Sequence, residues 1–597
     1  MNEMPKHMHN TFWVDNEVSF TFAPQLLDPD MSKSLNLSDF AAFLKDNGFS
    51  VPRWNDPNNT DQRNLAEQST RNATPHHPVF YAFPDLGIVM PQVPRGETST
   101  LVAAFFQFEG PPDEHSSQQG DQVGHGPTDL SRTAVARLVN LVNEHQQTLY
   151  NGEERLKDGT QLGPIPIAGA GPNLCCGGSN GDPTRPVTTG CPLTPPIPVE
   201  ADTEDASSPG LWPIQLPELP HELKKMTGDG VTVFVLDSLP SEGDMRRAAS
   251  AGGEHNLLLL DLINNVTFTY PALPEILDRP GPQQTMTGKD IQGRAVGFRM
   301  PDHGLFVAGI IRDIAPNAHI ECIRVLNDYC AGTVQILTGQ LHSILDRIQY
   351  GDLQGRDVVI NMSLEIPDDV DVKTSGIDLN LARLQLLAAI RSLSNRGVIF
   401  VASAGNEGDR RYMKPKGEHP NALYPAAYAY PLGKVEGVDN MIPVGAVDRE
   451  RKITSYSCYP GTRGVSTYGG EVPTGFMNKE THMTEVDTRK IDAVIGVYTQ
   501  LSYPALSIDD PEATYPVPNG HGWANWIGTS FATPIISAVV ARALELRRRT
   551  PSLALEVQST DAIIKYATKR TVSWTTSNGE SSTGIPGPMV WAQQPRP

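Results

Sequence analysis

Cysteine is scarce. There are six in 597 residues, too few for a disulfide framework in so long a chain. Cys175, Cys176 and Cys191 fall in a glycine- and proline-rich stretch, whereas Cys322, Cys330 and Cys458 are scattered. None has the paired CxxC or histidine spacing of a zinc site, so no metal centre is expected. Long apolar runs are missing too. No stretch of about 18 apolar residues suggests a membrane span. No apolar segment follows Met1-Asn2-Glu3-Met4-Pro5-Lys6-His7 to make a secretory leader. The expectation is a cytoplasmic protein, with unconventional export left open. Positive charge is in deficit, 48 Lys and Arg against 68 Asp and Glu for a net −20. That balance argues against a nucleic-acid or anionic-membrane partner. No internal repeat is evident.

What remains is the composition of a soluble globular protein, 39% hydrophobic and 19% charged. The length exceeds one ordinary core, so two domains and a linker are expected. Residues 1–150 read as a small α+β module. Phe12-Trp13-Val14 and Val18-Ser19-Phe20-Thr21-Phe22 flank Asp15-Asn16-Glu17 as a hairpin would. Ser38 caps a helix that Gly48 stops, and 79–83 and 101–106 read as strands. Helical spacing of Val135, Leu138, Val139, Val142 and Leu149 predicts a helix between 131 and 150. Residues 151–220 read as a linker, because Gly163-Pro164-Ile165-Pro166 and Pro195-Pro196-Ile197-Pro198 suit neither helix nor strand. From 221 to 575 strand and helix candidates alternate, the signature of an α/β domain with a mainly parallel sheet flanked by helices. Strands are expected at 231–236, 319–325, 357–362, 397–402 and 441–447. Helices are expected at 304–313, 334–350, 379–395 and 531–547. Residues 238–300 and 456–525 read as surface insertions, and 576–597 as a tail.

The chain is organised around Gly528-Thr529-Ser530-Phe531-Ala532-Thr533-Pro534 and the small apolar run that follows. Glycine permits a tight turn and Pro534 is preset for a first helical turn. Ser530 is then expected at a helix N-terminus, where unpaired N–H groups and the dipole favour developing negative charge. The plainer reading makes Thr529 or Ser530 an ordinary N-cap. Upstream, Val231-Thr232-Val233-Phe234-Val235-Leu236 ends in Asp237. His303-Gly304 opens another apolar helix, and Val398-Ile399-Phe400-Val401-Ala402-Ser403-Ala404-Gly405 leads to Asn406. Each alone has a structural reading: Asp237 capping a turn, His303 a buried structural histidine, Asn406 a turn residue. Together they place an acid, a base, an oxyanion donor and a nucleophile at the edges of regular elements.

That order, Asp, His, Asn, Ser, resembles the subtilisin-like serine peptidases, the subtilases. The resemblance covers roughly 221–570. It implies a serine endopeptidase acting through an acyl-enzyme, with peptide or protein as substrate and no cofactor required for the chemistry. His303 would be the base that activates Ser530, Asp237 would orient the imidazole, and Asn406 would donate to the oxyanion. It also implies substrate-binding walls: Ser363-Leu364-Glu365 pairing with extended substrate, and Ser403-Ala404-Gly405 opposite. An N-terminal pro-region that assists folding is common in the family, so residues 1–200 are read as either that or a permanent accessory domain. Structural calcium is common too. The acidic runs Asp368-Asp369-Val370-Asp371 and Asp509-Asp510 match no EF-hand loop, so no calcium ligands are assigned.

The chain departs from the family pattern at three places. Asp237 is followed by Ser238-Leu239-Pro240 rather than Ser/Thr-Gly, and His303-Gly304-Leu305-Phe306 keeps only the first of two histidines. Glu365 stands where the family has glycine, so it either charges the pocket, narrows it or faces solvent. With Asp368 and Asp369 nearby, the charged case predicts cleavage after Lys or Arg. These departures keep a second reading open, a catalytically silent domain used for binding or scaffolding. A sedolisin-type peptidase with a glutamate base is a third, but accounts less well for His303 before Gly304.

Overall fold

The computed structural model describes residues 13–22, 36–49, 79–82, 102–109, 134–177, 194–199, 213–252, 256–271, 273, 299–328, 330–366, 379–406, 408, 419–431, 437–472, 491–504, 514–578 and 581–594. The chain divides into two compact units. The first comprises residues 1–175, 333–349 and 369–393, and the second 176–332, 350–368 and 394–597.

In the first unit, β1 (Trp13–Phe22), β2 (Val79–Ala82), β3 (Val102–Glu109) and β4 (Ile167–Gly177) lie in the order β2-β3-β1-β4. Their mutual pairings are antiparallel. α1 (Leu37–Asp46) packs Phe40 edge-on against Phe20 and Phe22. α2 (Ala134–Glu144) ends in Asn143–Glu144, and Asn143 exchanges hydrogen bonds with the backbone of Ala170 on β4. Two sequence expectations change here. The Asp15-Asn16-Glu17 turn is instead part of one continuous strand, whose pairing with β4 shifts register between Trp13 and Val18. A bulge absorbs the polar residues without reversing the chain. Ile167–Gly177, expected as linker, is strand β4, because β1 offers its glycines and proline a partner edge. The helices Val334–Tyr350 and Leu379–Ser394, although distant in sequence, belong to this unit. Asn173 caps the first of them, accepting from the Gln335 N–H at 3.1 Å.

The second unit is an α/β layer structure. Its strands are β5 (Val231–Asp237), β6 (Thr267–Thr269), β7 (His319–Arg324), β8 (Asp357–Met362), β9 (Ile399–Ser403), β10 (Met441–Val447) and β11 (Val465–Tyr468). A separate pair is β12 (Val494–Val497) with β13 (Trp523–Trp526), and a C-terminal hairpin is β14 (Arg570–Asn578) with β15 (Ser581–Met589). The main sheet runs β14-β15-β11-β10-β9-β8-β5-β7-β6, parallel at every junction except the hairpin. β5, β9 and β10 are buried from end to end and correspondingly apolar, as a covered parallel sheet requires.

Across this sheet lies α4 (Thr529–Arg549), packed on β5, β8, β9, β10 and β11 and on α3 (His303–Ile314). α4 is long and apolar enough to cross a membrane by composition, yet 94% of its apolar window is buried within the protein, as a core helix is. Three stretches expected as insertions or tail carry regular structure. Residues 238–300 supply the helices Glu242–Gly252 and Leu257–Asn265 and strand β6. The 456–525 stretch supplies β11, β12 and most of β13, and the tail supplies β15, with Met589, Val590 and Ala592 buried. Short strands carrying Gly and Pro lack the length and periodicity that mark β5 or β10.

Candidate active site

Asp237 is the last residue of β5 and His303 the first of α3. Gly304 makes their meeting possible. A Cβ there would lie 2.3 Å from the Ser238 carbonyl oxygen and 2.7 Å from Asp237 Cβ, so only glycine lets α3 approach. The result is a 2.7 Å hydrogen bond between Asp237 Oδ1 and His303 Nδ1, both side chains fully buried. The Ser238 N–H also donates to Oδ1, at 2.7 Å. Donation from Nδ1–H to the Asp237 carboxylate leaves Nε2 as the basic nitrogen, the tautomer a general base needs.

Asp302, which the sequence reading passed over, precedes the base and is wholly buried. Its Oδ1 accepts from the N–H and hydroxyl of Thr499 at 2.9 and 2.5 Å, and Oδ2 from Gln500 Nε2 at 2.8 Å. Burial pushes its carboxyl up to about 6, against the pull of those donors. His303 is thus anchored at its own helix start to the loop after β12.

Ser530 is the second residue of α4. Gly528 reaches the helix with φ +155°, a conformation closed to ordinary side chains. The helix starts earlier than expected, so Pro534 lies within its second turn and leaves the Ser530 carbonyl without the usual i+4 donor. Ser363 Oγ supplies one at 2.8 Å. Ser363 in turn accepts from Asn361 Nδ2 at 3.0 Å, and Asn361 Oδ1 accepts from Ser537 at 2.8 Å. This buried chain locks the nucleophile's helix to β8. Its signal in the sequence is a polar Asn361 inside an otherwise apolar strand. Ser530 Oγ itself donates to the Ser363 carbonyl at 3.4 Å, and among the described residues His303 Nε2 has no hydrogen-bond partner. His303 and α4 meet by packing, with the imidazole 5.2 Å from the Phe531 ring and 5.5 Å from the Trp526 ring.

Asn406 follows β9 and is buried. Its Oδ1 accepts from the Thr529 N–H at 3.0 Å and the Thr529 hydroxyl at 2.9 Å. That pair of bonds fixes the amide, with Nδ2 directed away from Thr529 beside Gly528. Asp237, His303, Asn406 and Ser530 are therefore brought together from β5, α3, the segment after β9 and α4 by the Asp237–His303, Asn406–Thr529 and Phe531–His303 contacts.

Of the expected substrate walls, Ser363 and Leu364 continue β8, and Ser403 Oγ donates to the Leu364 carbonyl at 3.5 Å. Ala404 is bound on both sides, donating to Val444 and accepting from Leu423. Glu365 does not face solvent. It is 5% exposed, and a Cβ on Gly405 would lie 2.9 Å from its Oε2 and 3.1 Å from Leu423 Cδ1. Cys330 approaches the acid end, its Sγ 3.6 Å from Ser238 Oγ, and donor atoms of Asp237, His303 and Cys330 lie within 4.8 Å of one another. A thiol and an imidazole do not suit calcium, which takes oxygen ligands. The acidic runs at 368–371 and 509–510 lie outside the described residues.

A model of the subtilase family matches residues 228–584. The thermophilic serine proteinase of Bacillus sp. (strain AK1) is 30% identical over 187 residues, covering 28% of this chain and 36% of that protein. The subtilisin-like protease PopC of Myxococcus xanthus (strain DK1622) is 26% identical over 294 residues, 48% of this chain and 49% of PopC. The major intracellular serine protease of Bacillus subtilis (strain 168) is 30% identical over 165 residues, 26% of this chain and 40% of that protein. The chain spans between about a third and a half of the length of these curated relatives.

Proposed function

We propose, from the premise that this chain belongs to the subtilase family, that it is a serine endopeptidase whose nucleophile is Ser530. The observation that carries this reading is the buried Asp237–His303 hydrogen bond beside the N-terminus of α4. Rotation of Ser530 about χ1 moves Oγ from the Ser363 carbonyl toward His303 Nε2. Catalytic hydrogen bonds often tighten only when substrate is bound. Oγ attacks the scissile carbonyl carbon as its proton passes to Nε2, and the carbonyl oxygen becomes an oxyanion. Asn406 Nδ2 and the Ser530 N–H donate to it, aided by the helix N-terminus. The intermediate collapses as Nε2 returns the proton to the leaving amine, leaving an ester on Ser530. Water repeats the cycle and frees the acid. Asp237 remains ionised and stabilises the imidazolium. Every step is carried by the chain's own groups.

Glu365 extends the proposal to specificity. A buried carboxylate in the wall of the pocket favours Lys or Arg before the cleaved bond. A library of extended peptides tests both levels, with product termini read by mass spectrometry. Cleavage after Lys and Arg that weakens in Glu365→Gln supports the pocket assignment, and equal cleavage after large apolar residues overturns it. No cleavage of any peptide favours the scaffold reading instead.

A further inference from the structure

The proline-rich stretch expected as tether contains six residues that are part of the second unit's core. Residues 194–199 are all buried, with Thr194 and Ile197 at 0% exposure. Ile197 pairs antiparallel with Asn525 on β13, and the two exchange both backbone hydrogen bonds at 2.8 Å. Asn525 Nδ2 donates to the Pro198 carbonyl at 2.9 Å, and His521 Nε2 lies 3.1 Å from the Val199 carbonyl. Trp526 Nε1–H donates to the Thr194 carbonyl at 2.7 Å. The segment joins the edge of β13 opposite β12 through this one antiparallel bridge. Pro195, Pro196 and Pro198 preset its extended backbone and offer no N–H to a further strand.

What this segment holds is the base and the nucleophile. β13 leads within a few residues to Gly528-Thr529-Ser530, and its Trp526 sets the edge of its ring against His303 at 5.5 Å and packs on Phe531 at 5.1 Å. β12 leads to Thr499 and Gln500, which hold Asp302 next to His303. Without the Thr194 carbonyl, the indole N–H of fully buried Trp526 loses its acceptor, which a buried donor tolerates poorly. The ring then has reason to turn, and the imidazole moves with it.

We propose that residues 194–199 are a positioning strap for catalysis. Through Trp526 they align His303 with Ser530, and they stay with the second unit in any active form from which N-terminal residues have been removed. The proposal rests on the peptidase reading above and adds residues that never touch substrate. It excludes a pro-region extending to residue 200.

The test uses the full chain and three variants, Ile197→Asp, Ile197→Val and Trp526→Phe. It records kcat and KM on a cleaved peptide, per Ser530 labelled by a fluorophosphonate. Counting only labelled sites removes molecules that fail to fold. Trp526→Phe should lower kcat about tenfold with KM changed less than twofold, and Ile197→Asp more. Ile197→Val is the conservative control and retains the wild-type rate when the strap holds. N-terminal sequencing of labelled wild-type species should show residues 194–199 retained. Wild-type kcat per labelled site in both Trp526→Phe and Ile197→Asp would overturn the proposal, as would a fully active species starting beyond residue 199. Absence of labelling in the wild type, with or without its N-terminal residues, would overturn the peptidase reading and the strap with it.

Discussion

Asp237 and His303 meet through a 2.7 Å hydrogen bond, whereas Ser530 directs its hydroxyl to the Ser363 carbonyl at 3.4 Å and leaves Nε2 without a partner among the described residues. Both ends of the site are buried and both sit on helix starts, yet only the acid–base end is assembled. Its two groups are fixed by close backbone approach at Gly304 and by the anchoring of Asp302. The nucleophile's backbone is equally fixed, through Ser363, Asn361 and Ser537. Its hydroxyl, however, points to a backbone carbonyl and not to His303. The Asp237–His303 pair is therefore held by the fold, whereas the Ser530 hydroxyl has its partner elsewhere.

Breaking the nucleophile end should have the larger effect. Ser530→Ala should reduce kcat by about 10⁶-fold, the size seen for the nucleophile in subtilisin, measured on a cleaved peptide. At the other end, Asp237→Asn should leave backbone and packing intact and still cost about 10⁴-fold, because the imidazole then favours the wrong tautomer. A crystal structure of that variant should show His303 in place. Asn406→Leu removes the fixed oxyanion donor and should cost about 10²–10³ in kcat with KM little changed, again the subtilisin magnitude. Ser363→Ala tests the backbone lock by leaving the Ser530 carbonyl unpaired. It should lower stability by about 1–3 kcal/mol in denaturant unfolding. Pro534→Ala, which supplies the missing helical N–H, should recover part of that loss in the double variant.

The smallest effect sharpens the base end. Asp302 sits at about 6 when folded and near 3.9 when unfolded. Folding therefore takes up a proton between those values. The group's contribution is fully present below about pH 4 and is lost as pH rises through about 6. Asp302→Asn should flatten that part of the stability curve, read from melting temperature against pH.

The four catalytic candidates were legible because each ends or begins an apolar element, with glycine close by for His303, Asn406 and Ser530, a local pattern. Five of the parallel strands and α3 were legible too, since buried runs such as Val231–Asp237 and Met441–Val447 carry their own length and bounds, whereas the short β6 and β11 were not. The supporting residues were not. Asp302 finds Thr499 across 197 positions, and Trp526 finds Thr194 across 332, with nothing in either neighbourhood to announce the partner. Pro195-Pro196-Ile197-Pro198 reads as tether because proline excludes helix and sheet interior, yet one Ile197 N–H between prolines suffices for a backbone bridge to Asn525. Glu365 was visible as a departure, but its burial against Gly405 depends on a turn that only the fold brings near.

The most direct measurement is to treat the chain with a fluorophosphonate, before and after removal of N-terminal residues by an external protease, and to map the adduct by mass spectrometry. The account predicts a single adduct on Ser530 that is absent from Ser530→Ala and strongly slowed in Asp237→Asn. An adduct that persists in Ser530→Ala, or none on Ser530 under either condition, would contradict it.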